Sequence, residues 1–338
     1  MRELAAQLGI SRTTVALALR RHPSVAAATR DRVLAVAQTA GYRKNPLVNA
    51  LMSQVRQRQR LKPSGEVVAF LTSFSTEDDW RRHPSHVQQF EGARERARLL
   101  GFELQPVWLG EHGEQSRRAA QILAARGVRG SVLAPVSVDH RTLELDWSGH
   151  AVVATGYSFR QVSLHRSANH SISLVFSCYA HLRKMGYRRI GMAMLKQDNE
   201  RVGHFWLTGF LGAQRVYGGE RIEPLLFPDY TNPAPFLKRF GRGKPDAVIG
   251  IWLDLPLTWM REERGARVPE EVGYATLDVG DRAGQIAGMQ QDHRGVGAAA
   301  MDLLASQLFH NEIGIPKTPT VTMIEGTWVD GPTVARRE

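Results

Sequence analysis

The chain has 338 residues, 43% of them apolar, and a formal net charge of +11, enough material for more than one hydrophobic core. Residues 1–62 hold 12 Lys/Arg against 2 Asp/Glu, a net +10, while the other 32 against 31 leave +1. That asymmetry excludes a uniformly basic surface and predicts a phosphate-binding head whose affinity falls steeply with salt. The single cysteine, Cys178, excludes an intramolecular disulfide, no stretch reads as a secretory leader, and no apolar run is long enough to span a membrane. The expectation is a cytoplasmic protein with no membrane partner. The numbered start at Met1-Arg2-Glu3 lacks the Ser or Thr cap expected one residue earlier, so it is read as lying inside the natural reading frame.

Within 2–8, Leu4, Ala5 and Leu8 fall on one helical stripe, and Gly9 ends it. Ser11 is a good N-cap for a second helix, with Val15, Ala16 and Leu19 inward and Arg12, Thr13 and Leu17 outward. This is a helix-turn-helix pattern. A turn at His22-Pro23 leads to a third helical pattern, Val33, Leu34, Val36, Ala37 and Ala40, stopped by Gly41. Asn45-Pro46 then supplies an N-cap and a first-turn proline for a short helix with Leu47, Val48, Leu51 and Val55 on one face. The polar run 56–65, RQRQRLKPSG, is a linker.

Beyond it, short apolar strands alternate with helical patterns. Strands are expected at 67–71, 102–108, 130–134 and 151–154, with helices at 87–100, 115–125 and 142–145 between them. A second series follows: helices at 170–185, 204–217, 234–240 and 255–264, and strands at 189–194, 225–228, 247–251 and 272–276. Such alternation argues for parallel sheets covered on both faces, and two series of similar length imply two lobes with a cleft between them.

The runs SRTTVALAL, VAAATR and GYRKNP, in that order and spacing, resemble the DNA-binding head of the LacI (lactose-repressor) family. HLRKMGYRRIGMAM, Arg201, PDAVIGIWLD, VPEEVGYATLD, QQDHRGVG and TVTMIEGTWV extend the resemblance over nearly the whole chain. It implies an α/β fold, a helix-turn-helix head plus a periplasmic-binding-protein-like body of two doubly wound parallel lobes. The head would occupy 1–44, the hinge helix and linker 45–64, and the effector-binding and dimerisation body 65–338. The first lobe would comprise about 65–161 and 291–319, the second about 162–290 and 320–333, with the chain crossing between them three times.

The resemblance also implies roles. Arg12, Thr13 and Leu17 match the family's base readers in the major groove, Arg12 with the geometry to read guanine. Ser11, Thr14 and Arg20 join the DNA contacts, Ser11 and Thr14 through phosphates. Asn45 caps the hinge helix, from which Leu51 would wedge into the minor groove and kink the duplex. Arg201, Tyr230, Asp254 and Asp278 match effector-binding positions, a donor fork, a flat wall and acceptors suited to a sugar ring. Trp80 and Trp108 are placed either on the first lobe's side of the cleft or in its packing. This chain departs from the family at Ala16-Leu17, at Ala26, where a helix cap is lost, at Leu253 and at Gly156, so neither the usual operator nor the usual ligand carries over. The partners implied are a near-palindromic duplex, a sugar-like effector and a second copy of the chain.

Other chemistry finds no support. The lone G-x-G-x-x-A at 295–300 follows no strand, so it reads as a close-packed helix start rather than a dinucleotide site. No metal spacing, nucleophile elbow or phosphate loop is present, and lone histidines such as His165, His170 and His181 read as surface residues. No cofactor is expected. The reading is a sequence-specific transcription regulator, a repressor, and not an enzyme; an enzyme with an appended head would need a nucleophile or metal constellation. The alternative is a ligand-independent, DNA-bending architectural protein.

Overall fold

The computed structural model describes residues 5, 8–19, 25–39, 66–110, 113–136, 143, 147–252 and 254–337, with the backbone alone at 12, 13, 16, 19, 37–39 and 113–115. In the head, α1 (Arg12–Leu19) and α2 (Ala27–Thr39) pack with Ala5 and Leu8 of the preceding helical segment. Val15, Ala18, Val25 and Val33 are buried among them. Gly9 takes φ +65°, the left-handed turn expected of it, and the Arg32 guanidinium donates to the Leu8 carbonyl at 3.0 Å, tying α2 to that turn. Residues 40–65, which include the predicted hinge, lie outside the described residues, as does Arg20.

The body begins with β1 (Glu66–Thr72), α3 (Pro84–Leu100), β2 (Phe102–Trp108), α4 (Gly113–Ala125), β3 (Gly130–Leu133), β4 (Ala151–Thr155) and β5 (His165–Asn169). It continues through α5 (Ser171–Lys184), β6 (Ile190–Leu195), α6 (Lys196–Arg201), α7 (Phe205–Tyr217), β7 (Leu225–Phe227), α8 (Ala234–Gly243), β8 (Ala247–Gly250), α9 (Leu255–Glu262) and β9 (Gly273–Thr276). It closes with β10 (Gly288–Gln290), α10 (His293–His310), β11 (Val321–Ile324) and β12 (Thr327–Val329).

Two six-stranded sheets result, in the orders β11-β5-β4-β3-β1-β2 and β12-β10-β9-β8-β6-β7. The first pairs in parallel throughout; in the second, β12 runs antiparallel to β10. Period-two alternation assigns the faces. In β1, Val68 and Phe70 meet α3 and α10, while Ala69 and Leu71 enter the opposite cluster; in β8, Ala247 and Ile249 pack towards α5 and α7, and Val248 towards α9. Each sheet is therefore covered on both faces, which is why its strands read as continuous apolar runs.

The chain crosses between lobes after β5, between β10 and α10, and after β11. These crossings revise the expected lobe limits of 161 and 319. The strands β5 and β11 both belong to the first sheet, where β11 pairs with β5 from Val321↔Arg166 to Ile324↔Asn169. The sequence HRSAN at β5 has no apolar alternation; its place is set by neighbours on both sides rather than by its own pattern. Side chains join the first and third crossings, His165 to Thr320 (2.7 Å) and His170 to Glu325 (2.6 Å), and His181 stacks on Trp328, so these three histidines have structural partners.

The glycine-rich 295–300 segment begins α10 as expected of a close-packed helix. The Asp292 carboxylate accepts from Gly295 N at 2.7 Å as its cap. A Cβ at Gly297 would strike the Gln89 carbonyl, and one at Gly92 the Arg294 carbonyl, so these two glycines let α3 and α10 approach closely. Cys178 is fully buried on α5, and burial pushes its thiol pKa up, as befits an inert core residue.

Candidate functional site: the head and the interlobe cleft

The head presents α1 as a capped helix. Ser11 Oγ accepts from Thr14 N at 3.0 Å and lies 2.8 Å from Thr14 Oγ1, so both hydroxyls stand together at the helix start, with Ser11 exposed. Leu17 is partly buried and packs against the head's core beside the buried Ala18. The side chains of Arg12 and Thr13 lie outside the described residues, as do Asn45 and Leu51. Ala26 precedes α2 without a side chain able to cap it, the Arg30 amide bonding the Ala26 carbonyl alone at 3.0 Å.

Between the lobes lies a cleft formed at the carboxyl ends of both sheets, the usual ligand position in open parallel sheets. Pro135 follows β3, Tyr157 and Ser158 follow β4, and Asn169 ends β5; from the second lobe come Asp198 and Arg201 of α6, Trp252 after β8 and Asp278 after β9. Ser85, His86 and Gln89 of α3 and His293 of α10 add to its polar lining. At the rim the lobes touch. His83 stacks on Trp252 with ring centroids 5.7 Å apart and planes 2° from parallel, Tyr157 meets Phe205 edge-on at 4.9 Å, and Arg160 donates to the Glu200 carbonyl.

The interior carries polar atoms that have no protein partner. His86 Nδ1, Gln89 Oε1, Asn169 Oδ1 and Asp278 Oδ1, four side-chain atoms of the lining, are buried without a hydrogen-bond partner. A buried polar atom left so costs about 1–3 kcal/mol, and such groups concentrate where something polar is to be received. Burial first, then the charge of Arg201, holds the His86 pKa well below its ordinary value, and the same two causes lower His83. Burial lifts Asp198 to about 6 against the opposing pull of Arg201. Convergent polar groups, flat aromatic walls and shifted titrations together are the marks of a small-molecule site.

The structure brings together Arg201 and Asp278 of the predicted effector residues and leaves out the other two. Tyr230 is 60% exposed in the loop after β7, away from the cleft, so it forms no wall there. Asp254 is 4% exposed and stands behind the lining: its Oδ1 accepts from the Tyr274 hydroxyl at 2.7 Å and Oδ2 pairs with Arg282. Arg282 in turn donates to the Asp278 carbonyl at 2.6 Å, so Asp254 steadies the loop that carries Asp278. Trp80 is buried against Phe70 and Phe90, and Trp108 donates to the Phe74 carbonyl; both are packing residues. Tyr157 and Trp252 supply the aromatic walls that these residues were expected to give. His86, Gln89, Asn169 and His293 carry no motif of their own; their one signal is position, just past a strand end or on the first turns of the helices facing it.

Residues 1–45 match the model of bacterial regulatory proteins of the lacI family. The sucrose operon repressor of Shigella flexneri is 25% identical over 289 residues, covering 82% of this chain and 83% of that protein. Among solved structures, a complex of the transcriptional regulator CelR with cellobiose superposes with a TM-score of 0.59 at 19% identity, covering 98% of each chain. A lac repressor dimer bound to operator and the anti-inducer ONPF gives 0.58 at 17%, again covering 98% of each. A basic helix-turn-helix head in front of a two-lobed body of this topology defines a DNA-binding transcription regulator. Over its head, residues 1–45, the chain is similar to the lacI family of bacterial regulatory proteins, and over 82% of its length to the sucrose operon repressor.

Proposed function

We propose that the protein is a homodimeric repressor that works in the cytoplasm on a near-palindromic operator and is released or retained by a carbohydrate-like effector held between its lobes. The observation that carries the effector reading is the cleft at the strand ends of both sheets, where Arg201 and Asp278 stand among unpartnered buried polar atoms. The sucrose operon repressor and the CelR complex with cellobiose lend the carbohydrate class. In this reading, head 1–44 is joined to the body by hinge 45–64. Arg12 and Thr13 face base edges, Ser11, Thr14 and Arg20 the backbone, Asn45 caps the hinge helix and Leu51 is its minor-groove wedge. One head makes a modest interface, so two are needed for useful specificity. Because binding is reciprocal, an effector that weakens operator binding must itself bind less tightly to the operator-bound protein.

The test is selection of bound sites from random duplex DNA with the full-length protein, followed by titration of sugars against the selected site. A motif with two half-sites whose occupancy changes with one sugar is the expected result. Binding with no motif and no response to any sugar would replace this reading with an architectural one.

A further inference from the structure

Four of the eleven large apolar side chains that the described residues leave exposed share one end of the first lobe: Leu99, Phe309, Ile313 and Ile315, each 49–51% exposed. That end is the floor of the lobe, opposite the cleft, where the strands begin. Leu99 lies in the last turn of α3, just before β2; Phe309 lies in the last turn of α10, its ring centroid 6.0 Å from that of Phe102, the first residue of β2. Ile313 and Ile315 flank Gly314, whose amide donates at 3.0 Å to the carbonyl of His150, the residue before β4. The sheet order β4-β3-β1-β2 puts three strand spacings, about 14 Å, between the two pairs. Apolar side chains gathered in this way on a surface mark a contact.

Glu66 opens β1 directly beside Phe102, so the chain arriving from the head enters the lobe at the edge of this strip. By its sequence, that arriving chain carries a matching face. Leu47, Val48, Leu51 and Val55 fall on one side of a helical pattern, and the rise from Leu47 to Val55 is about 12 Å, close to the length of the strip. Residues 56–65 tie this face to Glu66 and reach about 33 Å when extended, ample for the segment to fold back. A helix this short is marginal alone in water and needs an apolar partner. We propose that, off DNA, the apolar face of 47–55 docks on Leu99, Phe309, Ile313 and Ile315 of its own chain. Docking takes Leu51 away from the minor groove, so floor and operator compete for one face and the free protein holds itself back. The competition rests on reading Leu51 as the wedge; the docking does not.

The experiment is amide hydrogen exchange of the full-length protein without DNA, read on peptides covering 47–55, together with affinity for the duplex recovered by site selection. The wild type is compared with Ile313→Ser/Ile315→Ser and, independently, with Leu99→Ser; all three side chains are half in solvent already, so the lobe still folds. The two isoleucines together give up about one buried side chain, so 47–55 exchanges about 10-fold faster in the double variant, and about 3-fold faster in Leu99→Ser. Operator binding tightens by the same factors, although the substituted residues touch no DNA. Equal exchange in the wild type and both variants overturns the docking, whether the segment is open in all of them or held by something other than the floor. Protection that disappears on dilution gives the floor to a second copy and overturns it too. Faster exchange with unchanged or weaker operator binding in both variants overturns the competition. Leu51→Ala that bends the duplex as the wild type does removes the wedge reading instead, while the exchange comparison still decides the docking.

Discussion

Asp254 separates a ligand contact from a structural support, and replacing it with alanine tells the two apart. In the folded protein its carboxylate holds the fully buried Tyr274 hydroxyl and the half-buried Arg282 guanidinium. Removing it leaves the hydroxyl without a partner, a cost of about 1–3 kcal/mol. It also leaves the arginine uncompensated. Breaking a fully buried pair costs roughly 3–5 kcal/mol, but the Arg282 side chain is 30% exposed, so water makes good part of that loss. A total of about 3 kcal/mol is reasonable, and for a lobe of this size each kcal/mol lowers the melting temperature by about 2–4 °C. Asp254→Ala should therefore melt about 6–12 °C below the wild type by differential scanning calorimetry. Asp254→Asn, which can still accept from Tyr274, should lose about half as much. If the alanine variant melts with the wild type while losing only its ligand response, the support role is wrong and Asp254 is a direct contact.

Three further outcomes are expected. Gly297→Ala drives a methyl into the Gln89 carbonyl and should separate α3 from α10, lowering the melting temperature and weakening effector binding through Gln89; an unchanged melting curve would show that the helices yield freely. Restoring a cap with Ala26→Ser should stabilise the head by about 1 kcal/mol, read from denaturation of the head's helical signal. Protonation should act with opposite signs at two cleft residues. His86, lowered by burial and by Arg201, His83 and His293 around it, takes up its proton more readily unfolded, so it costs stability as pH falls below 6.5, and His86→Gln should flatten that loss. Asp198, raised from 3.8 to about 6, holds its proton better when folded, so its stabilising contribution is lost as pH rises through that window; Asp198→Asn should gain on the wild type between pH 4 and 7, measured as melting temperature against pH.

Most of the fold was legible because its signals are local. The strand at 66–72 and the helix ending at Gly101 follow from a continuous apolar run and a left-handed glycine, and the two βα series follow from their alternation. The lobe limits were not legible, since β5 is polar and joins the first sheet only through pairing with strands that lie distant in sequence. The cleft was half legible. Arg201 and Asp278 follow strands and line it, but Asp254 also follows a strand, and only the buried Tyr274 and Arg282 turn it away from the cavity. His293 is a single histidine with no pattern around it; its importance lies in what two other segments bring to its two nitrogens.

The strand order has a consequence for how the protein is made. Each sheet receives an edge strand from the end of the chain, β11 at 321–324 and β12 at 327–329, and the tail beyond pins both halves of the second sheet, with Thr333 bonded to Tyr274 and Ala287. A ribosome translating this message releases the head first, yet neither lobe can complete its sheet until residues 321–329 have been made. Until then two open edges are exposed to pairing with other chains, a hazard of slow, long-range β topology. A chain cut before residue 321 should accordingly be not a protein with one damaged lobe but one with both lobes unfinished, prone to degradation or aggregation while still carrying the head.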